Sequence, residues 1–481
     1  MNFRFIINIL GRVLMLLSFL MATNLVWAFA YDESTIAGHT YSIAITLFAG
    51  LITHLLTRSG IERKLSIKDN YFTVTFIWIM MSLFGGLPYF FTGSIEGAVN
   101  IFFETVSGFT TTGSSILSDI EALPKSLLYW RSLTHWLGGM GIIVLVIAIF
   151  PFLRIGGYNL FKSEVSGMSN EKLTPKAAGI SKRLCAIYVV MTFILTGLLM
   201  FGDMNFFEAL NHSFSTISTG GFSTKNDSIA GFSPYIQYVL MIFMLLSGMN
   251  FVLHFHLIKG NFKKVFNNVE LKVYFSIIII VGLLVGAVIY ATENLPLERV
   301  FRDSFFHVIS IITTTGLFTV DYFQWQPYAW ILIFLLMFVG ACVGSTGGGI
   351  KIIRHVVLFK SVLIHFKKML HPNSVQLLKI NNEIIDDDKV ISLLSFLVLY
   401  FLTIMAGTLV MVFLGEDVTT AIGAVAANMG GVGQGIGAVS PSGNYAHFHD
   451  AGKILISFLM IVGRLEMTTV FILFTRLFWK E

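Results

Sequence analysis

Four runs rich in threonine, serine, glycine and asparagine stand inside an otherwise apolar chain. They read "GFTTTGSS" at 108–115, "STISTGGFST" at 215–224, "IITTTGLFTV" at 311–320 and "AANMGGVGQG" at 426–435. Glycine reaches backbone angles closed to other residues, so such runs can turn sharply and present carbonyl oxygens. A ring of carbonyls can replace the hydration shell of a cation, which is the chemistry these residue types suit. The short Thr and Ser hydroxyls can add oxygen ligands or bond back to the chain behind them.

The setting of the runs is as regular as their composition. Each follows a stretch of about 10–15 apolar and aromatic residues, too short to cross a membrane but long enough for a helix that dips in and returns. Glu96, Glu208, Glu298 and Asp417 mark the starts of these stretches, as suits helix N-termini. Each helix would then aim its partly negative C-terminal end inward, where a cation is stabilised.

Aligning Gly113, Gly221, Gly316 and Gly431 gives a repeat of roughly 100 residues. Three positions earlier stand Thr110, Ser218, Thr313 and Asn428, all polar. Nine positions earlier stand Glu104, His212, His307 and Ile422, so the fourth unit departs most, and Gly433 is a second candidate for its glycine. Small residues also mark close helix packing. Four runs at like positions argue instead for one shared path, because irregular backbone cannot face lipid.

The elements that must hold these runs are membrane spans. Of the 481 residues 55% are hydrophobic and 12% charged, about half the charge of a soluble domain. Apolar tracts near 3–30, 39–57, 71–91, 131–153, 183–202, 234–257, 270–291, 325–343, 390–414 and 450–479 predict ten spans. The first resembles a signal peptide ending in "AFA" at 28–30, but it is long enough to span and is expected to be retained. With an inside N-terminus, the inside segments, including 58–70 and 154–183, carry 25 of the 32 basic residues. Both termini are therefore expected in the cytoplasm, and the net charge of +5 is an orientation signal with no bearing on nucleic acid. The expected fold is an all-α membrane protein: two N-terminal helices plus four span–pore-helix–span repeats around a central pore. The corresponding units are 1–70, 71–153, 154–257, 258–379 and 380–481.

On these motifs the chain resembles the Trk/Ktr/HKT superfamily of potassium transporters, in particular the bacterial TrkH-type subunit. The resemblance runs from about residue 39 to 479. It implies a potassium filter formed by Thr110, Thr111, Thr112, Gly113, Ser218, Thr219, Gly220, Gly221, Thr313, Thr314, Thr315, Gly316, Asn428, Met429, Gly430 and Gly431. Potassium would be the substrate and no organic cofactor is expected. Membrane lipid, a homodimer in the bacterial inner membrane and a cytosolic nucleotide-binding regulatory subunit complete the implied setting.

Two features lie outside the four runs. "GACVGSTGGGIKIIRH" at 340–355 breaks an apolar tract at Gly344, Ser345, Thr346, Gly347, Gly348 and Gly349, then Lys351. Such glycines loosen a helix. Either a helix ends at the cytoplasmic edge, or the chain unwinds in the membrane and continues; the resemblance implies a gate loop beneath the filter. Arg464 stands near mid-membrane, where a charge is expensive and faces a cavity or a partner. It is expected to face the pore and raise the barrier to cations, with an ion pair to another helix as the alternative. Glu466, two residues on, points elsewhere. His135 is expected at the outer interface, and His254, His256, His355, His365 and His371 at solvated ends. An inverted-repeat transporter of another solute would show two large halves rather than four small units. A membrane enzyme would need a convergent nucleophile, base or metal set, which the sequence does not offer.

Overall fold

The computed structural model describes residues 1–58, 66–148, 174–374, 376–381 and 383–480. Among these, six helices are long and apolar enough to cross a membrane, and two bent helix pairs raise the number to eight. The fold is an all-α membrane arrangement: N-terminal helices, then four span–short helix–span units around a central pore. A two-residue hairpin, Lys379–Ile380 against Glu383–Ile384, is the sheet among the described residues.

The N-terminal helices Phe3–Met21 and Ile36–Thr57 pack closely, because Gly11 and Gly50 face each other without side chains. A Cβ on Gly11 would stand 2.9 Å from Gly50 O. Asn8 fastens the pair by donating to Thr57 Oγ1 at 3.1 Å and to His54 O at 3.2 Å. In lipid such a satisfied polar contact replaces the hydrophobic force that drives packing in water.

The first spans of the units are Ile67–Thr92, Lys182–Met200, Val269–Thr292 and Asp387–Phe413. The short helices are Ala98–Phe109, Phe206–Ile217, Leu297–Ile312 and Val418–Gly430. At 1.5 Å per residue they extend roughly 18–24 Å, less than the hydrocarbon thickness. Asn205 and Glu208 form a capping box at the second, and Asp417 accepts from Thr419 N at 2.9 Å and Thr420 N at 3.1 Å at the fourth. Glu298 lies in the first turn of the third, whereas Glu96 precedes the uncapped start of the first.

The second spans of the second and fourth units depart from the expected straight helices, and that of the third is broken at the glycines of 344–349. Only the first, Lys125–Ala148, runs unbroken through the described residues. In the second unit Pro234–Gly248 bends by 102° into Phe251–Ile258, where Asn250 starts a new helix by accepting from Val252 N. In the third, Pro327–Leu336 ends after ten residues, and an irregular segment leads to Ile352–Leu370. In the fourth, Asp450–Arg464 bends by 115° into Met467–Phe474, with Glu466 at φ 60° in the joint. Hydropathy could not separate the bends of the second and fourth units from straight spans, since the residues on both sides of each are apolar.

Large apolar side chains such as Phe19, Phe201, Leu283 and Phe413 are exposed and suit a lipid-facing surface, while Trp130, Phe103, Tyr188 and Tyr274 fill the interior. Residues 59–65 and 149–173, which include five of the 25 basic residues behind the orientation expectation and the 153/154 boundary, lie outside the described residues.

Candidate functional site

Each short helix ends in the same turn. Thr111 N bonds to Gly108 O and Thr112 N to Ser107 O; Thr219 N bonds to Thr216 O and Gly220 N to Ser215 O; Thr314 N bonds to Ile311 O and Thr315 N to Ser310 O. This is the Schellman closure, in which the residue after the cap adopts the left-handed conformation. Thr111, Thr219 and Thr314 do so at φ 52°, 56° and 59°, a position where glycine is usual. Such strain costs of order 1–3 kcal/mol per residue and persists only where the surroundings enforce it.

The fourth turn obeys the same pattern two residues later than the sequence alignment placed it. Gly431 N bonds to Asn428 O, and Val432 N to Ala427 O. Gly431, at φ 72°, therefore matches Thr111, Thr219 and Thr314. Gly433, at φ 85°, matches Gly113, Gly221 and Gly316 at 86°, 86° and 75°. Gly430 replaces Asn428 as the partner of Thr110, and Ala424 replaces Ile422 as the partner of Glu104. Pairing Asn428 with the polar Thr110 favoured Gly431 over the second candidate, Gly433, which the turn geometry selects.

With that register the four turns close into a ring. A Cβ on Gly113 would stand 2.2 Å from Gly220 O; on Gly221, 2.1 Å from Thr315 O; on Gly316, 2.2 Å from Val432 O; on Gly433, 2.3 Å from Thr112 O. Each glycine thus abuts the carbonyl of the next unit, and the fourth returns to the first. No side chain fits at these four places.

The hydroxyls mostly bond back to the chain. Thr110 Oγ1 donates to Val106 O at 2.7 Å, Ser218 Oγ to Phe214 O at 2.6 Å and Thr313 Oγ1 to Ile309 O at 2.7 Å. Thr112 and Thr315 pair through their hydroxyls with Thr110 and Thr313, each at 2.8 Å. Asn428 braces the ring from behind: its Oδ1 accepts from Ser114 Oγ at 2.6 Å and its Nδ2 donates to Tyr445 Oη at 2.8 Å, which in turn donates to Gly433 O at 2.8 Å. Met429 is fully buried, and its carbonyl lies 2.2 Å from where a Cβ on Gly463 would stand.

On one side of the ring lies a cavity of about 120 Å³ bordered by Ser115, Phe222, Lys225, Gln434, Ser442 and Asn444 among others. Acidic loop residues knit its rim. Asn226 donates to Asp119 Oδ1 at 2.9 Å and accepts from Ile120 N at 2.6 Å, and that amide contact holds the Asp119 carboxyl below the usual carboxylate range. Asp321 accepts from Ser440 at 3.1 Å and from Ser442.

On the other side the irregular segment 337–351 crosses directly against the turns. Gly348 N donates to Thr314 Oγ1 at 2.7 Å, and Thr346 Oγ1 to Ile217 O at 3.0 Å. Cβ atoms on Gly347 and Gly348 would stand 2.9 Å from Thr313 O and 2.7 Å from Gly430 O. Gly344, at φ 76°, accepts from Phe251 N at 3.0 Å; Gly349 turns at φ 69°; Ser345 Oγ donates to Cys342 O at 2.6 Å. Lys351 folds back, its Nζ donating to Gly347 O and to Gly348 O at 3.3 Å, so it does not mark a helix end at a solvated edge. Glu270 accepts from Val343 N at 2.9 Å and Ile353 N at 3.2 Å, gathering both feet of the segment.

Arg464 is buried and donates to Thr346 O at 2.8 Å and to Gly138 O at 3.1 Å. It ties the irregular segment to the first unit, in place of the ion pair considered from sequence. Glu466 pairs instead with Arg354 at 2.6 Å. His135 is wholly buried, stacked on Phe222 at 4.0 Å and bonded to Ser215 Oγ, away from the expected interface; His254 is likewise buried, on Leu246 O. Sequence reasoning passed over Arg131, Ser115, Ser223 and Tyr445, which lie behind the ring. A charge such as Arg131 at the edge of an apolar tract reads as an interfacial anchor, and only its spatial partner reveals otherwise.

Comparisons with known proteins bear on the family and the overall fold. The family model TrkH, described as cation transport protein, matches residues 38–480. The Trk system potassium uptake protein TrkH of Salmonella typhimurium is 33% identical, covering 100% of both chains, and TrkG of Escherichia coli is 32% identical over 99% of each. The crystal structure of the potassium transporter TrkH from Vibrio parahaemolyticus matches with a TM-score of 0.91 at 30% identity, over 100% of both chains. The chain belongs to the TrkH family of cation transport proteins.

Proposed function

We propose that this chain moves potassium across the bacterial cytoplasmic membrane through a filter of carbonyl oxygens at its four turns. The cyclic contact of Gly113, Gly221, Gly316 and Gly433 with Gly220, Thr315, Val432 and Thr112 is the observation that carries the reading. Four helix C-termini end at this ring, and their partial negative charges favour a cation over an anion. The ring is locked by backbone bonds and strained residues, so its oxygens need little reorganisation to replace water around an ion of matching size.

The filter then comprises Thr110–Gly113, Ser218–Gly221, Thr313–Gly316 and Gly430–Gly433, with Asn428 and Met429 supporting it. The gate is Gly344, Ser345, Thr346, Gly347, Gly348, Gly349 and Lys351, fastened by Arg464. Five units, 1–70, 71–153, 154–257, 258–379 and 380–481, describe the chain in this reading. Both termini face the cytoplasm. The homodimer and the cytosolic nucleotide-binding subunit of this reading are those that the family resemblance implies.

Purified protein in lipid vesicles tests the reading. Potassium and rubidium should enter down their gradients, with sodium slower by on the order of tenfold or more. Equal sodium and potassium fluxes would remove the selective filter from the account.

A further inference from the structure

The four junctions of the ring are not alike. Between the second and third units Ile229 N donates to Phe318 O at 3.1 Å. Between the third and fourth, Tyr322 Oη donates to Gly435 O at 2.6 Å. Between the fourth and first, Ser114 Oγ donates to Asn428 Oδ1 at 2.6 Å. All three are neutral hydrogen bonds, although single charged groups also bond between units, Asp321 with Ser440 and Ser442, Arg302 with Gln237 and Lys453 with Asn100. At the junction between the first and second units the chains leaving the turns are held by a fully buried ion pair.

Arg131 Nε donates to Glu104 Oε1 at 2.9 Å, and Nη2 lies 2.9 Å from the same oxygen. Nη2 also donates to Ser115 Oγ at 3.3 Å, while Nη1 reaches across to Ser223 O at 3.3 Å. The guanidinium lies 3.9 Å from the centre of the Phe222 ring. Both charged side chains are at most 1% exposed. Ser115 and Ser223 stand two residues beyond Gly113 and Gly221, so one rigid fork grips the chain leaving two adjacent turns.

Register makes the comparison sharper. Glu104, His212, His307 and Ala424 occupy one position on the four short helices. Glu104 accepts from Ser115 Oγ at 3.0 Å and from Ile116 N at 3.0 Å; His212 meets Ser223 Oγ at 3.0 Å; His307 meets Val320 O at 2.9 Å. Three units therefore brace their own outgoing strand from this position. Only in the first does the brace continue, through Arg131, into the neighbouring unit.

A buried ion pair is a poor device for stability, since its desolvation offsets its attraction and apolar replacements often fold as well or better. Its strength is geometric: the planar guanidinium fixes several acceptors at set angles, which a lysine ammonium cannot do. We infer that Glu104 and Arg131 are positioning residues that set the spacing of the first and second turns and thereby the selectivity of the ring. The inference rests on the filter reading above.

The test compares the parent with Arg131→Lys and with the double variant Glu104→Gln, Arg131→Met, which leaves no unpaired buried charge. Folded yield by size-exclusion chromatography and the sodium-to-potassium flux ratio in vesicles are measured for each. Both variants are expected to fold, and the ratio to rise about tenfold, as displaced binding groups allow. Folded variants that keep the parent ratio would overturn the inference. Failure of both to fold would overturn it too, because the pair would then serve the fold and not the filter. A parent that does not discriminate would sink the filter reading itself, and this inference with it.

Discussion

Gly433→Ala is expected to cut potassium flux by on the order of a hundredfold, whereas Gly431→Ala leaves it within about threefold of the parent. The two glycines are two residues apart and both take positive φ, at 72° for Gly431 and 85° for Gly433. Their surroundings differ. A Cβ on Gly433 would stand 2.3 Å from Thr112 O, 2.8 Å from the Gly113 carbonyl carbon and 2.9 Å from Ser114 N. All three are backbone, so the first and fourth turns must part to admit it. A Cβ on Gly431 meets nothing nearer than Gly348 Cα at 3.7 Å. The cost there is about 1–2 kcal/mol of left-handed strain, which Thr111, Thr219 and Thr314 already bear. Rubidium uptake into vesicles, normalised to folded protein, separates the two. Loss of flux in Gly431→Ala with flux retained in Gly433→Ala would reverse the register and undo the ring.

The repeat, the short helices and the polar runs were legible in the sequence because each is a local pattern: apolar length, an acidic start, a glycine stop. The fourth register was not, although a signal for it existed. In "TTTG", "STGG" and "TTTG" the ring glycine follows the left-handed residue by two, and "GVG" at 431–433 repeats that spacing. Polarity at Asn428 competed with it and prevailed, yet Asn428 is polar for another reason, its bonds to Ser114 and Tyr445. The break in the third unit's second span was legible in its glycines, but the bends in the second and fourth units were hidden for a physical cause. Lipid and protein interior both favour apolar residues, so hydropathy is blind to a bend that is satisfied by tertiary bonds such as Cys342 N to Gly248 O. Arg131 and Glu104 were visible as charges, but a pairing 27 residues apart across two elements is a property of the fold.

Arg464→Ala is expected to speed potassium flux by about tenfold without changing selectivity, by loosening the segment beneath the ring. Hydrogen bonds from a charged group are worth roughly 1.5–3 kcal/mol each. Losing the two that Arg464 gives to Thr346 O and Gly138 O is enough to shift an open–closed equilibrium by a decade or more. Deleting 344–349 should do at least as much. The chain can bridge the gap, since Gly340 N already bonds to Ile350 O at 2.8 Å. The two changes together decide how Arg464 acts. If it works as a clamp on the segment, the double variant conducts no faster than the deletion alone, because the contact it breaks is already gone. If it works instead as a fixed positive charge against the passing ion, the effects multiply. The residue is only 7% exposed and donates through both Nη atoms to carbonyls on two elements, which favours the clamp. Initial rates of rubidium uptake for the parent, both single variants and the double variant give the answer, and slower uptake by folded Arg464→Ala would remove the arginine from gating altogether.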